Sequence, residues 1–497
     1  MSGRGLTRRE ALADAIALAG GAMLASACGG AATKSAAATG STLKSTWIDP
    51  RGVGVLERGP GERLLARTEL ASPSAPGAVL ATIAHVTDAH ILDASSPARA
   101  TFLDRLGAPF ESTFRPHETL TAQVLAGAVN AVRQLRPDAV IQGGDLIDND
   151  QLNELVHALS VLRGGAVHPG SGPHGYYGVQ LPSDPDPFYY RPDLDAPRHP
   201  GLLARAVTPF VSPGVRSAVH PVLGDHDILV QGELVPSAKT RRLALGSEAL
   251  WELPPGLTLP PDARLTANGS PDGPPLPGLV QSFLAQALNG PKVTVPPDPT
   301  RQELDPVEVI GRLADPGKGP TLDYHADVGP HVRLIVLDLA RRGGGSGGLV
   351  RPEQPAWLEQ QLNAAGDRHV IAVSHQPLLS SEGGDQLLAL LDRDPRVIAA
   401  LSGHTHRNLI EPRPTPVGGY WLINTASLID FPQQARALRV VATKDGGVAL
   451  QTWMLDHVFA GALGAISREL AYLDAQGGRP KGFRGSRLDR NVTLYVR

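Results

Sequence analysis

The chain has 497 residues, 42% of them hydrophobic and 19% charged, with a formal charge of −3, which argues against a wholly disordered chain and against a general nucleic-acid binder. A single cysteine excludes an intrachain disulfide and thiolate-rich zinc or iron–sulfur sites, while sixteen histidines stay available as ligands. Charge below the about 25% usual in soluble domains, together with 55 glycines and 45 prolines, predicts long irregular loops on either several domains or one core with insertions.

Residues 1–28 carry Arg4, Arg8 and Arg9, then an Ala/Leu/Ile-rich stretch from Ala11 to Leu24, then Ala25-Ser26-Ala27 before Cys28. This is the layout of a secretory signal. Thr7-Arg8-Arg9-Glu10-Ala11-Leu12 resembles a bacterial twin-arginine signal, and Asp14 inside the apolar run suits that route better than a membrane anchor. Leu24-Ala25-Ser26-Ala27-Cys28 also resembles a lipoprotein box, so Cys28 is read as the mature N-terminus, either lipidated or a free surface thiol. The expected location is extracytoplasmic, secreted or attached to the cell envelope. Residues 29–75 are read as a tether and N-terminal extension, 76–457 as the catalytic domain, and 458–497 as a C-terminal helix and solvated basic tail.

In the body, short apolar runs are each followed by a polar loop. Val79–Val86 leads to Asp88 and His90, Asp138–Gln142 to Gly144 and Asp145, and His220–Leu223 to Asp225, His226 and Asp227; His369–Val373 leads to His375, and Val397–Leu401 to His404 and His406. Such runs suit strands covered on both faces. Leu120, Val124, Leu125, Ala128, Val129, Val132 and Leu135 form a helical stripe, and Pro352 to Leu362 a second helix. Alternating strands and helices predict a layered α/β fold with ligands gathered beyond the carboxyl ends of the strands of one sheet.

Two Pro/Gly-rich insertions, near 164–200 and 232–320, break the rhythm. The first holds Tyr176, Tyr177, Phe188, Tyr189 and Tyr190, which read equally as a binding rim or a small satellite core. His85 and His220 beside strands read as structural, and Arg407 as either a phosphate contact or a solvated side chain.

Carboxylates and neutral imidazoles in this set are the donors that bind Zn, Mn or Fe. In order across residues 79–430, the blocks resemble those of the calcineurin-like metallophosphoesterases: D-x-H, G-D-x-x-D, G-N-H-D/E, H and G-H-x-H, with Gln354-Pro355-Ala356-Trp357-Leu358 as a smaller match. The resemblance implies a four-layer α/β/β/α sandwich with two metal ions. Asp88, His90, Asp145 and His406 would hold one ion; Asp145, as the bridge, would hold the second with Asp225, His375 and His404. His226, oriented by Asp227, would meet the substrate. The implied chemistry is hydrolysis of phosphodiesters or phosphomonoesters by a metal-bridging hydroxide, on a small phosphoester with nucleotides among the candidates.

Asp225 stands where the family has Asn, leaving a nearly neutral set of donors and ions, so the expectation is a mixed or Fe/Mn-type centre rather than necessarily di-zinc. His90 and Asp148 depart from the purple acid phosphatase pattern, and Asn149 from that of the Ser/Thr protein phosphatases. The alternative reading is a catalytically weak, metal-stabilised binding protein of the envelope. The residues leave oligomeric state open.

Overall fold

The computed structural model describes residues 40–107, 110, 113–260, 278–314, 319–477 and 482–496. The signal segment, Cys28 and the start of the tether lie outside the described residues. Thirteen strands build the two main sheets: β1 (Leu65–Arg67), β2 (Pro76–Val86), β3 (Ala139–Gln142), β4 (Ala218–Pro221), β5 (Tyr324–Val328), β6 (Val332–Leu337), β7 (His369–Ser374), β8 (Val397–Ser402), β9 (Leu409–Thr415), β10 (Gly418–Asn424), β11 (Gln434–Thr443), β12 (Val448–Asp456) and β13 (Val492–Val496). The first sheet runs β1-β13-β12-β11-β2-β3-β4 and the second β5-β6-β7-β8-β10-β9. Within them β2, β3 and β4 are parallel, as are β6, β7, β8 and β10.

Side-chain alternation explains why the sheets stack. On β6, Val332, Leu334 and Val336 enter the core between the sheets with Ile83, Ile141, Ile371, Leu401, Trp421 and Leu438. The intervening Ile335 and Leu337 face the other way, onto α3 (Gln354–Asn363) and α4 (Gly384–Leu391), contributed by Leu358, Leu362, Leu387 and Leu391. The outer face of the first sheet is covered by α1 (Thr121–Leu135), whose predicted stripe is buried, and by α2 (Leu152–Arg163). Four layers result, α/β/β/α, and strands apolar on both faces are what such layering requires.

Three expectations need correction. The ligand-bearing loops come from two sheets rather than one: the parallel strands of both run toward the same end of the sandwich, so their carboxyl ends meet there. Of the stretch read as a tether and N-terminal extension, residues 40–75 are folded, the last part of the expected tether included. Thr42 bonds to Met454, and β1 extends the first sheet beside β13. The basic tail is not a solvated tail either: β13 pairs with both β12 and β1 and buries Val492, Leu494 and Val496. Alternation over so short a strand, after a run of arginines, is masked by the charge count.

The first insertion is pinned rather than open. Tyr189 is 1% exposed, in a satellite core with Phe114 and Val179, and Tyr176 is also buried, so these two pack the loop, while Phe188 is exposed. The second insertion contains a helix at Ala238–Leu245, another at Gly278–Ala287 and a third at Pro306–Leu313. Leu243, Leu250, Phe283 and Leu284 form a second small core with Phe102, Leu103 and Phe110. Among the described residues, no helix is long and apolar enough to cross a membrane.

Candidate metal centre

Each block sits where a strand ends and the chain turns sharply. Asp88, His90, Asp145, His404 and His406 all have positive φ, between 41° and 66°, a conformation costing a non-glycine residue about 1–2 kcal/mol. Interlocking bonds hold it. Asp88 N–H donates to Gly144 O at 3.1 Å and His90 N–H to Asp145 O at 3.0 Å, while His404 N–H donates to the Asp88 carboxylate at 2.9 Å. Gly144 has φ 94°, and a Cβ there would lie 2.4 Å from His375 Nδ1, so the glycine of this block is required both by its backbone and by the ring pressed against it.

The turns bring all seven predicted ligands together, none more than 3% exposed. Asp145, Asp225, His375 and His404 form one set and Asp88, His90 and His406 another, with donor atoms of each set within 4.8 Å of one another. Asp145 reaches the second set through His90 Nε2, 3.8 Å from Asp145 Oδ2, and these two join His226 in a third grouping. His375 Nε2 is 2.9 Å from Asp145 Oδ2, and His404 Nδ1 is 3.3 Å from Asp225 Oδ1. Asp145 Oδ2, Asp225 Oδ2, His375 Nε2 and His404 Nδ1 are buried without any hydrogen-bond partner. Orphaned buried donors are costly, and two carboxylates with two imidazoles converging in this way fit a cation between them. The two sets therefore fit a dinuclear metal centre with Asp145 between the positions.

Around the donors lies a layer that sequence reasoning did not assign. His406 Nδ1 is 2.5 Å from Asp430 Oδ2, and His90 Nδ1 is 3.2 Å from Asp148 Oδ1. His375 Nδ1 instead meets the carbonyl of Gly143 at 2.8 Å. Gln376 Nε2 donates to Asp225 Oδ1 at 2.8 Å. Burial raises the Asp88 carboxyl, but the facing His406 and His375 outweigh it and hold it at about 2. Burial likewise opposes ionisation of Asp430, and Arg115 with His406 overcomes it, keeping the group well below the usual carboxylate range. Asp430 lies 24 residues after its histidine and 315 from its arginine, and no local pattern announces such a pair.

The predicted role of Asp227 is corrected. Its carboxylate accepts the backbone N–H groups of Leu146, Ile147 and Gly224, at 2.9, 3.3 and 2.8 Å, and so ties the Asp145 loop to the Asp225 loop. The carboxylate is thus engaged in joining the two loops, and His226 Nδ1 lies 2.8 Å from the carbonyl oxygen of Asp148. The second insertion starts directly above this ring, since a Cβ on Gly232 would fall 2.4 Å from His226 Cδ2. Arg407 is exposed, and His85 is buried with Nδ1 2.9 Å from Thr425 Oγ1.

The layered fold and the paired donor sets agree with what the resemblance to the calcineurin-like metallophosphoesterases implies. Segments of two curated proteins are similar to this chain. One is the glycerophosphodiester phosphodiesterase GpdQ of Enterobacter lignolyticus, 34% identical over 84 residues, which are 15% of this chain and 30% of that protein. The other is the probable glycerophosphodiester phosphodiesterase GpdQ of Arcobacter nitrofigilis, 33% identical over 87 residues, 15% of this chain and 32% of that protein. The match thus spans about a third of the length of these relatives. No family model matches. Among solved structures, a dimetal phosphatase from Danio rerio aligns with TM-score 0.39 and 14% identity, over 76% of this chain and 100% of that one. The sulfate thiohydrolase SoxB of Thermus thermophilus, in complex with glycerol, aligns with TM-score 0.29 and 15% identity, over 82% of this chain and 62% of that one.

Proposed function

We propose that this chain is a dinuclear metal-dependent phosphoesterase acting outside the cytoplasm, with phosphodiesters preferred over phosphomonoesters. The observation that carries the reading is the group of four orphaned buried donors, on Asp145, Asp225, His375 and His404, beside a second set on Asp88, His90 and His406. The diester preference is supported by the phosphodiesterase names of the two partial relatives, and the location by the signal-like N-terminal sequence.

When bound, a pair of metal ions acidifies water and withdraws charge from phosphoryl oxygens. The protein's own contribution is placement. Asp145 fixes the spacing of the two positions. The carbonyl of Asp148 meets His226 Nδ1 at 2.8 Å and so directs the ring, the group that passes a proton to the departing alkoxide. The burial of the donor sets excludes bulk water around them and strengthens every charge interaction with the substrate phosphate.

Hydrolysis of bis-p-nitrophenyl phosphate and p-nitrophenyl phosphate by the metal-reconstituted full chain tests this, with His404→Ala as the control. The expected result is metal-dependent turnover, faster on the diester and lost in the variant. No metal-dependent hydrolysis by the unsubstituted chain would refute the reading and favour a metal-stabilised binding protein.

A further inference from the structure

Among its described residues, the excursion between β2 and α1 adds no member to the donor sets beyond the D-x-H block, yet two of its arginines stand behind two donors. Arg115 grips Asp430 with a two-pronged contact, Nε to Oδ1 at 2.6 Å and Nη2 to Oδ2 at 3.1 Å, and Asp430 in turn meets His406. Arg99 Nη1 donates to Asp148 Oδ2 at 3.1 Å, and Asp148 meets His90. Glu118 joins the two chains of contacts, accepting Arg99 Nη2 at 2.8 Å and the Arg115 backbone N–H at 3.2 Å on the same oxygen. All these side chains are 6% exposed or less. Both supported imidazoles belong to the set with Asp88. In the other set, His375 Nδ1 meets the neutral carbonyl of Gly143 rather than a carboxylate.

We propose that this excursion is a brace that grades the two metal positions, with Arg115–Asp430 and Arg99–Asp148 acting through His406 and His90 to make the Asp88 position the tighter one. A carboxylate behind an imidazole fixes its tautomer and orientation and makes it a stronger donor, an effect worth about 10–100-fold in metal affinity. The arginine behind each carboxylate keeps it ionised and immobile, so the support is fixed before the ion arrives. Asp430, Asp148 and Glu118 are positioning residues, since they act through other side chains. The inference rests on the metal centre proposed above but not on phosphoester hydrolysis.

Titration of the metal-free full chain with Co(II), followed by its visible absorption and by calorimetry, tests the brace independently of activity. The unsubstituted chain should bind one ion more tightly than the second. Asp430→Asn should weaken the tighter ion by about 10–100-fold and leave the weaker one unchanged, while Asp195→Asn, at an ion pair within the first insertion, should titrate as the unsubstituted chain does. Arg115→Lys and Glu118→Gln should shift the same ion in the same direction by less, and they carry the test if Asp430→Asn does not fold. Unchanged affinities in the brace variants, or equal weakening of both ions, would overturn the proposal. Two bound ions with no hydrolysis would count against the proposed function and leave the brace standing.

Discussion

Gly144→Ala should be among the most damaging single-atom additions available in this chain. The glycine has φ 94°, and the added Cβ would sit 2.4, 2.6 and 2.8 Å from three atoms of the His375 side chain. The backbone penalty is about 1–2 kcal/mol, and forcing a methyl group into a filled site adds about 1–3 kcal/mol, so the loss is about 2–5 kcal/mol. His375 cannot yield easily, because its Nδ1 is fixed by Gly143 O at 2.8 Å. Gly446 provides the comparison: its φ is 88°, but a Cβ there meets nothing within 4 Å, so Gly446→Ala should cost only the backbone part. Urea unfolding of the metal-free variants measures both costs, and metal counted per chain by mass spectrometry reads the displacement of His375. Equal unfolding midpoints for the two variants, or full metal content with unsubstituted-like stability in Gly144→Ala, would refute the steric argument.

Two further outcomes are expected. Asp225→Asn should remove one negative charge from the donor set and change metal content toward divalent ions only, with a shifted pH–rate profile; unchanged content and profile would refute the charge-count reasoning of a trivalent ion. His117 is fully buried with Nε2 2.6 Å from the Ile429 carbonyl, and burial depresses its pKa from 6.5 to about 4. The neutral form is the folded one, so its stabilisation is complete above pH 6.5 and is lost as the pH falls toward 4, amounting to about 2 kcal/mol at pH 5. His117→Gln, which keeps a donor and cannot titrate, should flatten the fall of the urea midpoint between pH 7 and 5; parallel curves for the two proteins would sink the assignment.

The donor residues were legible in the sequence because each block follows a short apolar strand, and Asp145, Asp225 and His404 each come directly after a glycine, a local arrangement that needs no knowledge of the partner strand. Asp225 after His220–Leu223 and His375 after His369–Val373 are examples, and the structure sets them side by side. Two kinds of feature stayed out of reach. One is support from afar: Arg115, Asp430 and Gln376 meet their partners through the tertiary fold alone. The other is competition for a side chain, as at Asp227, where position beside His226 suggested an orienting role but three backbone N–H groups take the carboxylate. β13 was hidden for a third reason, since five alternating residues give little periodic signal next to Arg484, Arg487 and Arg490.

The pairing of β1 with β13 also imposes an order on biosynthesis. Leu65–Arg67 can find its neighbour only after residues 492–494 exist, so the first sheet stays open at β12 until nearly the whole described chain has left the ribosome. A product halted before β13 would present the unpaired edge of β12, a template for pairing with other chains. Closure of this edge is therefore late, and the metal centre rests on a sheet in which β13, the strand that joins β1 to β12, follows all the others along the chain.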